Sequence, residues 1–132
     1  MKQISTANAP TAIGPYSQAM VLDDLVFLSG QIPLSAETGE VVGDNIEDQT
    51  RQVLRNIDAV LKAAGSSFDQ VVKTTCFLAE MADFAKFNAL YGESFVSKPA
   101  RSCIAARQLP KNVLVEIEVI AITRANSALS LV

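Results

Sequence analysis

The sequence predicts an α+β fold in which two helices pack on one face of a mixed β-sheet. Two segments place apolar residues at helical spacing, and runs rich in β-branched residues precede, separate and follow them. The predicted order is hairpin, helix, strand, helix, hairpin. Because each helix joins two strands, we expect right-handed crossovers with parallel strands there and antiparallel pairing in the terminal hairpins. A chain of 132 residues is expected to form one domain, residues 1–132.

The chain begins with predicted β-structure. Residues 4–9 are predicted to form a short strand or arm. Residues 18–22 and 25–29 flank two aspartates, which is typical of a hairpin. Gly30 follows the second of these strands, where a glycine permits close approach of another part of the chain.

The first helix has signals at both ends. Asn45 is a suitable N-cap with Asp48 as its capping partner, and Gly65 occupies the position after the last turn. The apolar residues between them recur on one face, which predicts that this face packs on the sheet: Ile46, Val53, Leu54, Ile57, Val60, Leu61 and Ala64.

A strand at residues 71–79 is predicted to lead into a second helix at residues 82–96, which Lys98-Pro99 ends. This helix carries an aromatic stripe of Phe84, Phe87, Leu90, Tyr91 and Phe95. We assign the stripe to the core rather than to a cofactor site.

Residues 99–121 are predicted to form a closing hairpin around a turn at 108–112. Its second strand alternates. Val115, Ile117, Val119 and Ala121 suit the helix-covered face, and Leu114, Glu116, Glu118, Ile120 and Ile122 take the other. A tight hairpin would place Arg101 opposite Ile120, with Glu116 roughly 13 Å further along.

The composition limits the function. Hydrophobic residues make up 49% of the chain and charged residues 19%, so a short chain has apolar surface to cover, and an oligomer interface would cover it. The net charge is −3 and no lysine or arginine cluster occurs, which argues against nucleic acid as a partner. No apolar run is long enough to cross a membrane.

The chain contains no histidine, which excludes Ser-His and Cys-His nucleophile pairs. Cys76 and Cys103 are its two cysteines, too few for a zinc cluster within one chain, so we expect no metal. The N-terminus lacks the features of a signal or transit peptide, so we expect free thiols in the cytoplasm.

Two charged positions in the closing strands have alternative interpretations. Arg101 either forms a surface or interface ion pair, or binds a carboxylate or phosphate with its planar set of donors. Glu116 is either solvated, or holds a water near a bound electrophile. Given their predicted separation, a small ligand touching both would need either a bend in the strands or an Arg101 and a Glu116 from different chains.

Four further residues have both a structural and a functional interpretation. Cys103, on the same face as Arg101, is either a small buried hydrophobe or a backbone contact for a ligand. Tyr16 either packs a loop or offers its hydroxyl, and Gly30 can expose backbone groups. Asn88, beside the aromatic stripe, is either solvated or part of the site.

Several short strings together resemble the RidA family, also called the YjgF/YER057c/UK114 family of reactive-intermediate deaminases. They are IGPYSQA at 13–19, SGQIP at 29–33, VKTTCFL at 72–78, PARS at 99–102 and VEIE at 115–118. The likeness runs from about residue 4 to 123, and residues 125–132 lie beyond it. It implies a chorismate-mutase-like fold of the bacillus type, assembled as a homotrimer with a central barrel and clefts between subunits.

The resemblance also implies a reaction. Members hydrolyse 2-iminobutanoate and 2-iminopropanoate, the latter derived from 2-aminoacrylate, to 2-keto acids and ammonia without a cofactor. Arg101 would bind the substrate carboxylate and Glu116 would activate water. The remaining implied contacts are the backbone at Gly30 and Cys103 and the cleft residues Tyr16, Ser29, Phe84 and Asn88.

Two alternatives remain at this point. A trimeric, non-catalytic small-acid-binding or chaperone-like protein would need the same arginine, although Glu116 favours turnover. An RNA-cleaving translation inhibitor is the other, and the acidic charge counts against it.

Overall fold

The computed structural model describes residues 1–123, so residues 125–132 lie outside the described part. The chain forms a six-stranded sheet and two helices. Their bounds are β1 Lys2–Ile4, β2 Ala19–Leu22, β3 Leu25–Gln31, α1 Ile46–Ala63, β4 Val71–Leu78, α2 Phe84–Ser94, β5 Ala100–Ala105 and β6 Val115–Ile122. Three short 3-10 turns lie at residues 68–70, 81–83 and 110–112.

The strand order in the sheet is β1-β2-β3-β6-β4-β5. All neighbours are antiparallel except β4 and β5, which are parallel. Helix α2 joins these two parallel neighbours, and α1 joins β3 to β4, which run in the same direction with β6 between them. The α+β prediction with a mixed sheet is confirmed.

The end signals of α1 act as the sequence indicates. The Asn45 side chain accepts a hydrogen bond from the backbone N–H of Asp48 at 2.8 Å, and its amide donates to the Asp48 carboxylate at 3.0 Å. Gly65 has φ +80°, the left-handed conformation that suits a glycine after a helix. These contacts satisfy backbone groups that a helix end leaves open.

The N-terminal strand is shorter than predicted. β1 comprises Lys2–Ile4 rather than residues 4–9, and it pairs with β2. The buried side chain of Gln18 bonds the backbone N–H and carbonyl of Thr6 and the carbonyl of Pro10. The Gln18 side chain thus occupies backbone groups of Thr6 and Pro10 that would otherwise pair with a neighbouring strand, and the strand ends at Ile4.

The predicted closing hairpin is wrong. β5 pairs with β4, and β4 lies between β5 and β6, so Arg101 is opposite Thr74 and not Ile120. The inward residues of β6 are almost fully buried, whereas β5 is mostly exposed. The apolar strand β6 therefore lies in the interior of the sheet, and β5, whose side chains are smaller and more polar, lies at its edge.

The two helices cover one face of the sheet, as alternation in β6 predicts. Val115, Ile117, Val119 and Ala121 belong to the core with the apolar face of α1. The other face remains open and carries the exposed apolar side chains of Leu25, Phe27 and Ile104, which the strand pairing aligns with Ile122, Ile120 and Glu116 respectively.

Candidate functional site

Glu116 lies on the open face of the sheet, beside an irregularity in β3. The pairing of β3 with β6 shifts between Leu28 and Gln31, where β3 holds one more residue than its partner. Such a bulge bends a strand and changes the direction of nearby groups. It places Ser29 and Gly30 next to the Glu116 side chain.

Gly30 leaves the space that the Glu116 carboxylate occupies. A Cβ added at Gly30 would overlap Glu116 Oε2 and lie 2.9 Å from its Cδ. The backbone of Gly30 is not left-handed, so the requirement is steric rather than conformational. The sequence predicted that another part of the chain could approach Gly30 closely, and the structure shows that this group is the Glu116 carboxylate.

A cavity of about 380 Å³ opens at Glu116. Tyr16, Ser29 and Gly30 contribute to its wall, together with apolar residues from other segments: Pro10, Ile32, Leu34 and Pro110. Tyr16 is 55% exposed. The Ser29 hydroxyl donates to the carbonyl of Ser17 at 2.6 Å, so it also fixes the loop that carries Tyr16.

Burial raises the pKa of Glu116, and the like charge of Glu118 raises it further. Within residues 1–123, the Glu116 carboxylate accepts no hydrogen bond and forms no ion pair. A half-buried carboxylate of this kind can accept a proton from water in the cavity.

Arg101 lies on edge strand β5 and on the helix-covered face. Its Nη1 donates to Asn88 Oδ1 at 2.6 Å. The guanidinium carbon lies 4.7 Å from the ring centroid of Tyr91 and 5.4 Å from that of Phe84. Arg101 is exposed and forms no ion pair with any described residue, so most of its N–H groups are available to an anion.

The residues around Arg101 share one side of α2. Phe84, Asn88 and Tyr91 lie at positions i, i+4 and i+7, so they form one line along the helix. A cavity of about 440 Å³ includes Asn88, Tyr91 and Arg101. Sequence reasoning placed Tyr91 in the core alone, although its spacing from Asn88 was a signal that both would face Arg101.

Cys103 shares the face of Arg101, as predicted, and is opposite Cys76 in β4. Burial raises the pKa of the Cys103 thiol, partly offset by the charge of Arg101. Burial also raises the pKa of Cys76 to about 12. Both free thiols are protonated at neutral pH, which supports packing roles for the two side chains.

The predicted site residues thus divide into two groups within one chain. Tyr16, Ser29, Gly30 and Glu116 surround the first cavity, whereas Phe84, Asn88, Arg101 and Cys103 lie on the helix side of β5. Arg101 is aligned with Thr74 of β4, and Glu116 is aligned with Phe77 of the same strand. Because these two positions are three residues apart, the side chains of Arg101 and Glu116 lie on opposite faces of the sheet. Strand geometry puts their Cα atoms about 14 Å apart.

Neither group offers a metal site among the described residues. No cluster of three or more His, Cys, Asp or Glu side chains could hold a metal ion in residues 1–123. The two helices of this region are also too short or too polar to cross a membrane.

Comparison with known proteins gives consistent matches along the chain. A family model described as Endoribonuclease L-PSP matches residues 6–123. A Lactococcus lactis protein named as a candidate regulator, AldR, is 57% identical over 122 residues, covering 92% of this chain and 97% of that protein. An Escherichia coli 2-iminobutanoate/2-iminopropanoate deaminase is 46% identical over 127 residues, covering 93% and 98%.

Among solved structures, E. coli TdcF with bound serine superposes with a TM-score of 0.88 and 43% identity, covering 92% of this chain and 98% of that chain. The family model, the relatives and the solved structures agree on one family. The chain belongs to the Endoribonuclease L-PSP family, which is the RidA/YjgF family.

Proposed function

We propose that the protein hydrolyses small 2-imino acids, and their enamine tautomers, to 2-keto acids and ammonia. The substrates proposed are 2-iminobutanoate and 2-iminopropanoate, the latter arising from 2-aminoacrylate. One observation carries the proposal: the chain presents both Arg101, which has no ionic partner among the described residues, and Glu116, a half-buried carboxylate whose pKa is raised. The name of the E. coli deaminase and the serine bound to TdcF support the same substrate class, since both involve small α-amino or α-imino acids.

The two groups of residues would meet between subunits of a homotrimer. Within one chain, Arg101 and Glu116 lie on opposite faces of the sheet, so a small ligand cannot touch both. The exposed apolar residues of the open face provide a surface that a second copy would cover. A cleft formed by the Arg101 side of one subunit and the Glu116 side of the next would contain both.

In such a cleft, Arg101 binds the substrate carboxylate through two parallel N–H donors. Asn88 and Phe84 hold the guanidinium, and the backbone at Cys103 and Gly30 positions the substrate. Glu116 accepts a proton from a water molecule as the water oxygen bonds to the iminium carbon. Glu116 then returns its proton to the nitrogen of the resulting carbinolamine. The carbon–nitrogen bond breaks as the hydroxyl group loses its proton to solvent water, which releases ammonia and leaves the keto acid.

Positioning can supply much of the acceleration, because a protonated imine is already electrophilic. Tyr16 and Ser29 complete the wall around the water and the reacting carbon. No cofactor takes part in this scheme. Cys76 and Cys103 are free thiols, which fit a reducing compartment, and we propose that the protein acts in the cytoplasm.

A coupled assay tests this proposal. A serine or threonine dehydratase and its substrate generate the imine, and keto-acid release is followed with and without the protein. We expect faster release with the wild type and none of this acceleration with Arg101→Ala. Arg55→Ala is the matched control, because Arg55 is an exposed arginine of α1 that contacts Gln52.

The alternatives give different results. Unchanged keto-acid release, together with Arg101-dependent binding of 2-oxobutanoate, would contradict turnover and favour a small-acid-binding protein. Cleavage of RNA that survives Arg101→Ala, without acceleration of keto-acid release, would favour the activity that the family name describes. The net charge of −3 counts against that outcome.

A further inference from the structure

We propose that Tyr91 is a positioning residue for Arg101. Its ring supports the guanidinium from the core side, and its bond to Thr74 fixes the depth of the ring, so that the free N–H groups face a carboxylate. This inference rests on the proposed function, because it assigns Arg101 to ligand binding. It concerns a residue that sequence reasoning assigned to the core alone.

The guanidinium is restrained from three directions. Its central carbon lies 4.7 Å from the Tyr91 ring centroid and 5.4 Å from the Phe84 ring centroid, both within cation–π range. Asn88 takes one N–H group at 2.6 Å. An exposed arginine otherwise samples many rotamers, so these contacts select an orientation before a ligand binds.

Tyr91 is itself held rigidly. Its hydroxyl lies 2.6 Å from the Thr74 hydroxyl, and Thr74 is fully buried on the strand directly opposite Arg101. Tyr91 is 6% exposed, and its ring packs against Phe95 at 4.3 Å and Phe87 at 5.7 Å between centroids. The support beneath the guanidinium is therefore part of the core.

The chemistry of position 91 differs from that of its neighbours. Phe87 and Phe95 fill the same core with apolar rings alone. A buried phenol needs a hydrogen-bond partner, and Thr74 provides it. Burial also raises the pKa of Tyr91, so the hydroxyl stays neutral and adds no charge beside Arg101. A neutral, anchored ring is suited to hold a cation in one plane.

Orientation determines which donors remain. A guanidinium has five N–H groups, and Asn88 takes one. The other four include a parallel pair that fits a carboxylate only if the plane of the guanidinium is fixed. Loss of the Tyr91 ring should therefore weaken carboxylate binding more than it slows the chemical step, which depends on Glu116 across the cleft.

The test measures binding of 2-oxobutanoate, a stable keto acid, by calorimetry, and KM and kcat in the coupled assay. Tyr91→Leu should raise the dissociation constant and KM by about three- to tenfold, with kcat changed less than KM. Tyr91→Phe keeps the ring but loses the hydrogen bond to Thr74, so its dissociation constant should lie between those of the wild type and Tyr91→Leu. Phe68→Leu is the control, since it removes a partly buried ring that packs against Phe95 and has no ring contact with Tyr91 and no cation–π contact with Arg101.

The outcomes separate the two proposals. Wild-type affinity in Tyr91→Leu, with binding lost in Arg101→Ala, would overturn the positioning role and leave the proposed function standing. An equal loss in Tyr91→Leu and Phe68→Leu would also overturn it, because a general core defect would then explain both. Unchanged affinity in Arg101→Ala would overturn the proposed function itself. Thermal unfolding of each variant reports whether the core has been lost.

Discussion

The carboxyl group of Glu116 is half-buried and lies near Glu118, and both features raise its pKa. Ionising it there is unfavourable, yet the proposed reaction needs the ionised form to take a proton from water. The site therefore keeps a carboxylate more basic than an ordinary glutamate, which makes it a better proton acceptor near neutral pH. Glu118, which shares the open face, acts here through its charge.

The raised pKa leads to a pH dependence. Activity should fall as the pH drops through the pKa of Glu116, at a higher pH than an ordinary glutamate would give. Glu118→Gln removes the like charge and lowers that pKa, so the acidic limb of the kcat profile should move to lower pH. Glu37→Gln, at an exposed loop residue, should leave the profile unchanged. A shift of the Glu118→Gln limb to higher pH would contradict this account.

At the scale of secondary structure, local signals predicted most elements. Asn45 and Gly65 mark the ends of α1 because their contacts lie within a few residues. Pairing of β5 was predicted wrongly because neighbours in sequence need not be neighbours in a sheet. The bulge in β3 was also missed, since one extra residue is visible only against the partner strand.

The bulge supports a second prediction. Gly30→Ala should displace the Glu116 carboxylate and lower kcat by about 10- to 100-fold, because small misplacement of a reacting group is costly. Gly65→Ala is the control. It introduces strain of about 1–2 kcal/mol at a left-handed position with no atom nearby, so it should lower stability and leave kcat unchanged. Wild-type kcat in Gly30→Ala would show that the exact place of the carboxylate is unimportant.

At the scale of the whole molecule, the proposed site is divided within one chain. Arg101 faces the helices and Glu116 faces the open side, and β4 separates their strands. In the proposed trimer, a second copy would bring a guanidinium to the carboxylate. The exposed apolar side chains of the open face give such a copy a surface to bind.

Mixed assemblies test this arrangement. Arg101→Ala and Glu116→Ala should each be inactive alone. Unfolding and reassembling them together at equal amounts should restore about a quarter of the wild-type activity, because one interface in four then joins an intact arginine to an intact glutamate. A native mass of three chains should accompany the recovery. No recovery in mixed trimers, or a monomeric mass, would contradict a site between subunits.

The sequence by itself determined the two helices and the alternation of β6, and it singled out Arg101 and Glu116 as candidate site residues. These inferences depend on local spacing and side-chain chemistry alone. Only the tertiary structure decided that β4 separates β5 from β6, that the two charged residues lie on opposite faces, and that Gly30 makes room for a carboxylate. The physical reason is that strand order and close approach depend on burial of residues far apart in the chain. Alternation along a strand predicts which face of the sheet a residue lies on. Which residue of another strand lies beside it depends on how the strands pack in the tertiary structure.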